Sequence, residues 1–139
     1  MKYLPPIAGG LLGLVFIASG LVVLLKFAPT PPPSPEGTPP ALFMGAFAPT
    51  GYLTFVKVFE VLGGLLVAVP RTRNLGLLVL GPIIVNILAF HAFINGGEGL
   101  FSPFLIVIAA LALYLLWVER RAFAGLVHRS KPSPTPQAS

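Results

Sequence analysis

A chain of 139 residues has room for one domain. Its 55% hydrophobic and 9% charged residues, with a mean hydropathy of +0.90, exclude an ordinary soluble domain, which carries about 25% charged residues. The net charge of +5 comes without a contiguous basic patch, which argues against nucleic acid as a partner, and the absence of cysteine excludes disulfides, thiolate-held iron–sulfur clusters and cysteine-rich zinc sites.

The first apolar run, about 7–27, is long enough to cross a bilayer core, which takes about 20 residues. It is longer than a secretion-signal core, and Lys26 stands where a cleavage site needs a small residue, so it reads as a retained helix. Gly9, Gly13 and Gly20 share a face suited to close helix contact. The stretch 28–40 holds seven prolines and is expected as polyproline II and turns. The apolar stretch 41–53 is broken by Gly45, Pro49 and Gly51, so a short helix or cap on the outer surface is expected.

A second span covers about 51–69 and carries Lys57 and Glu60 in its middle. The tight turn 70–74 makes it the antiparallel neighbour of the third span, about 75–94, which contains Pro82, Asn86 and His91. The fourth, about 103–118, ends in Tyr114 and Trp117, an aromatic anchor for a membrane interface. Residues 128–139 read as a disordered cytoplasmic tail.

Backbone groups in lipid must bond within their own segment, so these runs are expected as helices. The fold expected over residues 1–127 is an all-α membrane protein: four transmembrane helices in an up-down antiparallel bundle. Lys2, the Arg71 and Arg73 pair, and Arg120, Arg121, Arg129 and Lys131 then fall on one side, while Glu36 and Glu98 fall on the other with Lys26 at the boundary. The bias of basic residues places both termini in the cytoplasm.

A charge at bilayer depth costs about 2.5–3.5 kcal/mol even on lenient scales, so Lys57 and Glu60 mark a functional site by default. Three residues apart, they share a helix face and can pair. Gly64 and Ala68 continue that face, which is therefore expected to pack on other helices while Leu62, Leu65 and Leu66 look outward. The plain structural alternative is a pair that only fixes packing, although two apolar residues would do so at less cost.

Asn86 and His91 fall in the outer half of the third span, at the depth of Lys57 and Glu60, so the four polar side chains are expected to converge, with Lys26 at the border. Five residues on an ideal helix is about 140° of rotation. Asn86, in line with Phe90 and Phe93, is therefore the expected interior residue, and His91 is expected toward the fourth span or the outer loop. Alone, His91 is equally well an interfacial histidine bonded to a carbonyl. Haem would need a second histidine, and the other one, His128, is in the basic tail. No metal site is expected from so few carboxylates and histidines.

The runs "LFMGAFAPTGYL", "KVFEVLGGLL", "PRTRNLGLLVLGPIIVNILAFHAF" and "LYLLWVERRAF" resemble the DoxX family of small bacterial membrane proteins over residues 7 to about 126. The resemblance implies a multi-pass protein of the bacterial cytoplasmic membrane with a quinone-linked role, since the family is named for a subunit of a quinone-linked oxidoreductase. Of the motif positions it carries over Lys57, Glu60, Asn86 and His91.

Three functions follow. A redox-associated membrane subunit would bind a quinone headgroup, with Lys57, Asn86 and His91 as donors, Glu60 as proton relay, and Phe55, Phe59, Phe90 and Phe93 lining an apolar slot. A noncatalytic anchor would hold a soluble redox partner or a homo-oligomer in the bilayer. A small transporter would use the charges as an ion path.

Overall fold

The computed structural model describes residues 2–29 and 31–128, and every regular element within them is helical. Of the stretch 128–139, which the composition marks as structureless, all but His128 lies outside the described residues, Arg129 and Lys131 included.

Helix α1 (Leu4–Leu24) starts with Pro5 and Pro6 in its first turn, where a missing N–H breaks no helix bond. It ends three residues before the expected limit. Lys26 turns left-handed at φ 55°, and the amides of Lys26 and Phe27 donate to the Val23 and Val22 carbonyls at 3.2 and 2.9 Å, closing the helix end with a Schellman-type pair.

The proline-rich stretch gives up its last two residues to a helix: Pro39 and Pro40 open α2 (Pro39–Phe47) after Thr38. Proline is well suited to a first turn, which the count of prolines alone conceals. A 3₁₀ turn, Ala48–Thr50, and left-handed Gly51 (φ 79°) then lead into α3 (Tyr52–Ala68) at an 82° bend.

A second 3₁₀ turn, Pro70–Thr72, joins α3 to α4 (Arg73–Ala89), whose end widens into a π turn over Phe90–Ile94. After a loop containing Gly96, Gly97 and Gly99, all with positive φ, Ser102 caps α5 (Pro103–Val118), its Oγ accepting from the Leu105 amide. Helix α6 (Arg120–Val127) leaves α5 at 69°. Its Arg120 guanidinium lies 4.4 Å over the exposed Trp117 ring.

Helices α1 and α3 run antiparallel and nearly backbone to backbone. A Cβ on Gly9 would come 2.8 Å from the Val67 carbonyl, one on Gly13 2.5 Å from that of Gly64, and one on Gly20 3.0 Å from that of Lys57. The expected glycine face is therefore the seam of the bundle. Leu12, Phe16, Val67, Leu80 and Leu115 fill the core, and α5 touches α1 far less extensively than α3 does.

The exterior is apolar: Leu11, Leu14, Leu62, Leu65, Val85 and Leu113 are all exposed. Two helices, Leu4–Leu24 and Pro70–Ile94, are long and apolar enough to cross a membrane, and the number rises to four if α2 with α3 and α5 with α6 each count as one bent span. The bundle thus has a proline-rich end and an arginine end.

Candidate functional site

Helix α3 buries one stripe, formed by Glu60, Gly63, Gly64 and Val67. Small residues on that stripe let α1 and α4 close over it, and the enclosure falls on Glu60, which is 2% exposed. Lys57, one turn nearer the proline-rich end, donates from Nζ to both carboxylate oxygens of Glu60 at 3.0 Å. Ser19 of α1 donates to Oε2 at 3.4 Å. A buried charge needs both a counter-charge and hydrogen bonds, and Glu60 has them.

On α4, Asn86 and His91 keep different faces, Asn86 alone of the two lining a groove toward α3 and His91 alone a space toward α5, and the helix end then widens into the π turn. The Asn95 amide reaches back to the Phe90 carbonyl at 2.9 Å, one residue farther than in an α-helix, so the helix is wider at His91. Asn86 and His91 both reach the same cavity as Lys57 and Glu60, a space of 220 Å³ between their two faces that Phe43 and Met44 of α2 also line. All four polar residues meet there.

His91 also reaches the loop after the π turn. Its Nδ1 lies 3.0 Å from the Glu98 carbonyl oxygen, which also accepts from Asn95 Nδ2 at 3.0 Å. A carbonyl only accepts, so Nδ1 is the donor in this contact, and in a neutral ring Nε2 is then an acceptor. Nδ1 is thus committed to the loop, and the donors left around the cavity are Lys57, Asn86 and the Tyr52 hydroxyl.

A second cavity, of 340 Å³, lies on the other side of the ion pair, toward α1 and α5. Lys57, Glu60, Ile87 and His91 line both spaces, so they stand as a partition between them. A third groove, of 360 Å³, takes Asn86 with Phe55 and Phe59 between α3 and α4.

Two expectations fail. Phe93 is 83% exposed, because the π turn rotates it off the interior face that Phe90 keeps through its contact with Phe43 at 5.0 Å between ring centroids. Lys26 lines none of these three cavities, since the left-handed turn at the end of α1 carries it away.

Two participants were missed. Ser19 sits beside Gly20 and three residues after buried Phe16, a position on the α1 stripe that the sequence displays. Arg73 was counted as a flanking charge but is buried, in phase with Leu77, Leu80 and Ile84 along α4. Its Nη1 lies 3.4 Å from Glu119 Oε1, while Nε and Nη2, packed near Gly9, have no hydrogen-bond partner among the described residues.

Part of the chain is similar to the "Uncharacterized protein YwoB" of Bacillus subtilis, with 37% identity over 81 residues that make up 58% of this chain and 50% of the relative. The matched region thus spans half the length of that protein. No protein-family model matches the chain. No solved structure matches it.

Proposed function

We propose that the chain is a DoxX-type integral protein of the bacterial cytoplasmic membrane whose polar chamber binds the headgroup of a quinone as part of a redox-associated assembly. In this reading α1, the α2–α3 pair, the Pro70–Ile94 helix and the α5–α6 pair are four spans. Both termini lie in the cytoplasm because the basic residues concentrate at the arginine end.

The observation that carries the reading is the meeting of Lys57, Glu60, Asn86 and His91 around one cavity in the half of the bundle nearest the proline-rich end. A quinone headgroup is flat, largely apolar and carries two carbonyl acceptors. Lys57 and Asn86 offer donors to a carbonyl, Phe43 and Phe90 offer ring faces, and the acceptor Nε2 of His91 suits the hydroxyl of the reduced form. The neighbouring 340 Å³ space is within the range of about 300–1,000 Å³ usual for small-molecule sites. Electrons would come from a bound molecule or a partner redox protein, because the chain has no cysteine for a thiol redox centre.

The test is equilibrium binding of a menaquinone or ubiquinone analogue to the purified protein in micelles. Glu60→Gln removes the charge that orients Lys57 and is expected to weaken binding about tenfold, or about 1.4 kcal/mol. Equal affinity in a variant that folds normally removes Glu60 from the site. Reporter fusions at the proline-rich loop and after α6 test the orientation.

A further inference from the structure

Resting on that reading of the site, the geometry points to a lateral entrance between α1 and α5, through which the ligand's hydrocarbon tail lies in the bilayer while its head reaches Lys57 and Glu60. The 340 Å³ space beside the ion pair does not end inside the bundle. It shares Val15, Ser19 and Phe104 with a groove of 440 Å³ on the outer surface, which continues along α1 past Ala18, Val22 and Val23.

The opening has a cause in the packing. The glycine seam draws α1 onto α3, while α5 stays sparsely packed against α1. The gap between α1 and α5 therefore remains, with exposed Val22, Val23 and Phe104 at its mouth.

The chemistry of the path is graded. Ser19 is the one hydrogen-bonding side chain in the outer groove, and it is also the residue that donates to Glu60. Past it the lining acquires Lys57, Glu60 and His91. An amphiphile with a hydrogen-bonding head and a hydrocarbon tail matches that sequence of surfaces, head first. The 220 Å³ space, by contrast, is lined by the apolar side chains of Phe43 and Met44 of α2, which offer a water-soluble ligand nothing to bond. The occupant we assign to the outer groove is therefore the isoprenoid tail of a quinone.

The experiment compares two probes in binding assays on the purified protein: a quinone with a ten-carbon tail and the same head without one. The wild type is expected to bind the tailed probe at least tenfold more tightly. Ala18→Trp, which fills the groove from an exposed helix position, is expected to abolish that preference and leave the tailless probe unchanged. Val22→Trp repeats the test if Ala18→Trp unfolds the protein, as judged by helical circular dichroism. Equal binding of both probes, insensitive to either tryptophan, overturns the entrance and leaves the headgroup site standing. Loss of both probes to the same degree in the tryptophan variants also overturns a tail-specific groove. Failure of both probes to bind the wild type removes the entrance and the quinone site together.

Discussion

Replacing Lys57 by Met keeps most of the stem volume and removes only the ammonium, which makes it a direct probe of the buried pair. At the 3.0 Å separation of Nζ and Oε2, the Coulomb attraction is about 5.5 kcal/mol at an effective dielectric of about 20. Lys57 keeps 25% of its side chain exposed, and screening there reduces what is lost. Uncoupling one member of a buried pair typically costs about 3–5 kcal/mol, and the lower half of that range is expected for Lys57→Met.

The two partners are not equivalent. Glu60 is enclosed, with Ser19 as its remaining donor at 3.4 Å, whereas a Lys57 deprived of Glu60 can still turn toward its exposed side. Glu60→Met should therefore cost less than Lys57→Met. The double replacement should come within about 1 kcal/mol of the wild type or exceed it, because apolar substitutes for a buried pair are often neutral or stabilising. Equilibrium unfolding in mixed micelles, followed by far-ultraviolet circular dichroism, measures all four corners of the cycle. By these costs the coupling should reach or exceed the top of the usual range of about 0.5–3 kcal/mol. A cost below about 1 kcal/mol for Lys57→Met, or a double variant as unstable as the sum of the singles, would refute the argument.

Two more substitutions test the scaffold. Gly13→Val would drive side-chain atoms against the Gly64 carbonyl and Ala68 and should lower stability by about 1–3 kcal/mol or more. Gly10→Ala, one turn away with nothing within 4 Å of the added methyl, should be neutral or stabilising by up to about 1 kcal/mol; thermal melts in micelles distinguish them. At the arginine end, Glu119→Ala should cost about 3 kcal/mol by leaving buried Arg73 without its counter-charge. The same melts should show Arg73→Met combined with Glu119→Met recovering most of that loss.

Much of the site can be read in the residues because its signals are local. The spacing of Lys57 and Glu60 fixes their pairing, and glycines at Gly9, Gly13 and Gly20 announce a tight seam. Helix α5 runs where the apolar composition puts a helix, at Pro103–Val118, since proline after a serine starts a helix and Glu119 and Arg120 end the apolar run. What escaped depends on features that hydropathy does not encode. The π turn at Phe90–Ile94 leaves composition untouched while changing the angular bookkeeping, which is why Phe93 was assigned inward. Arg73 has the in-phase apolar partners of a core residue, but its charge and its place beside the turn suggest a flank. Ser19 is too weakly polar to stand out in an apolar run until Glu60 lies beside it.

The π turn carries one residue more than a regular helix would need over the same length. Deleting a single residue between His91 and Asn95 would rewind the segment, swing the following loop by about 100° around the axis and carry the Glu98 carbonyl away from the imidazole it now meets, with every apolar stretch still in place. In kindred chains, then, the interval between the histidine and the glycine-bearing loop is a better diagnostic of an anchored imidazole than the presence of the histidine itself.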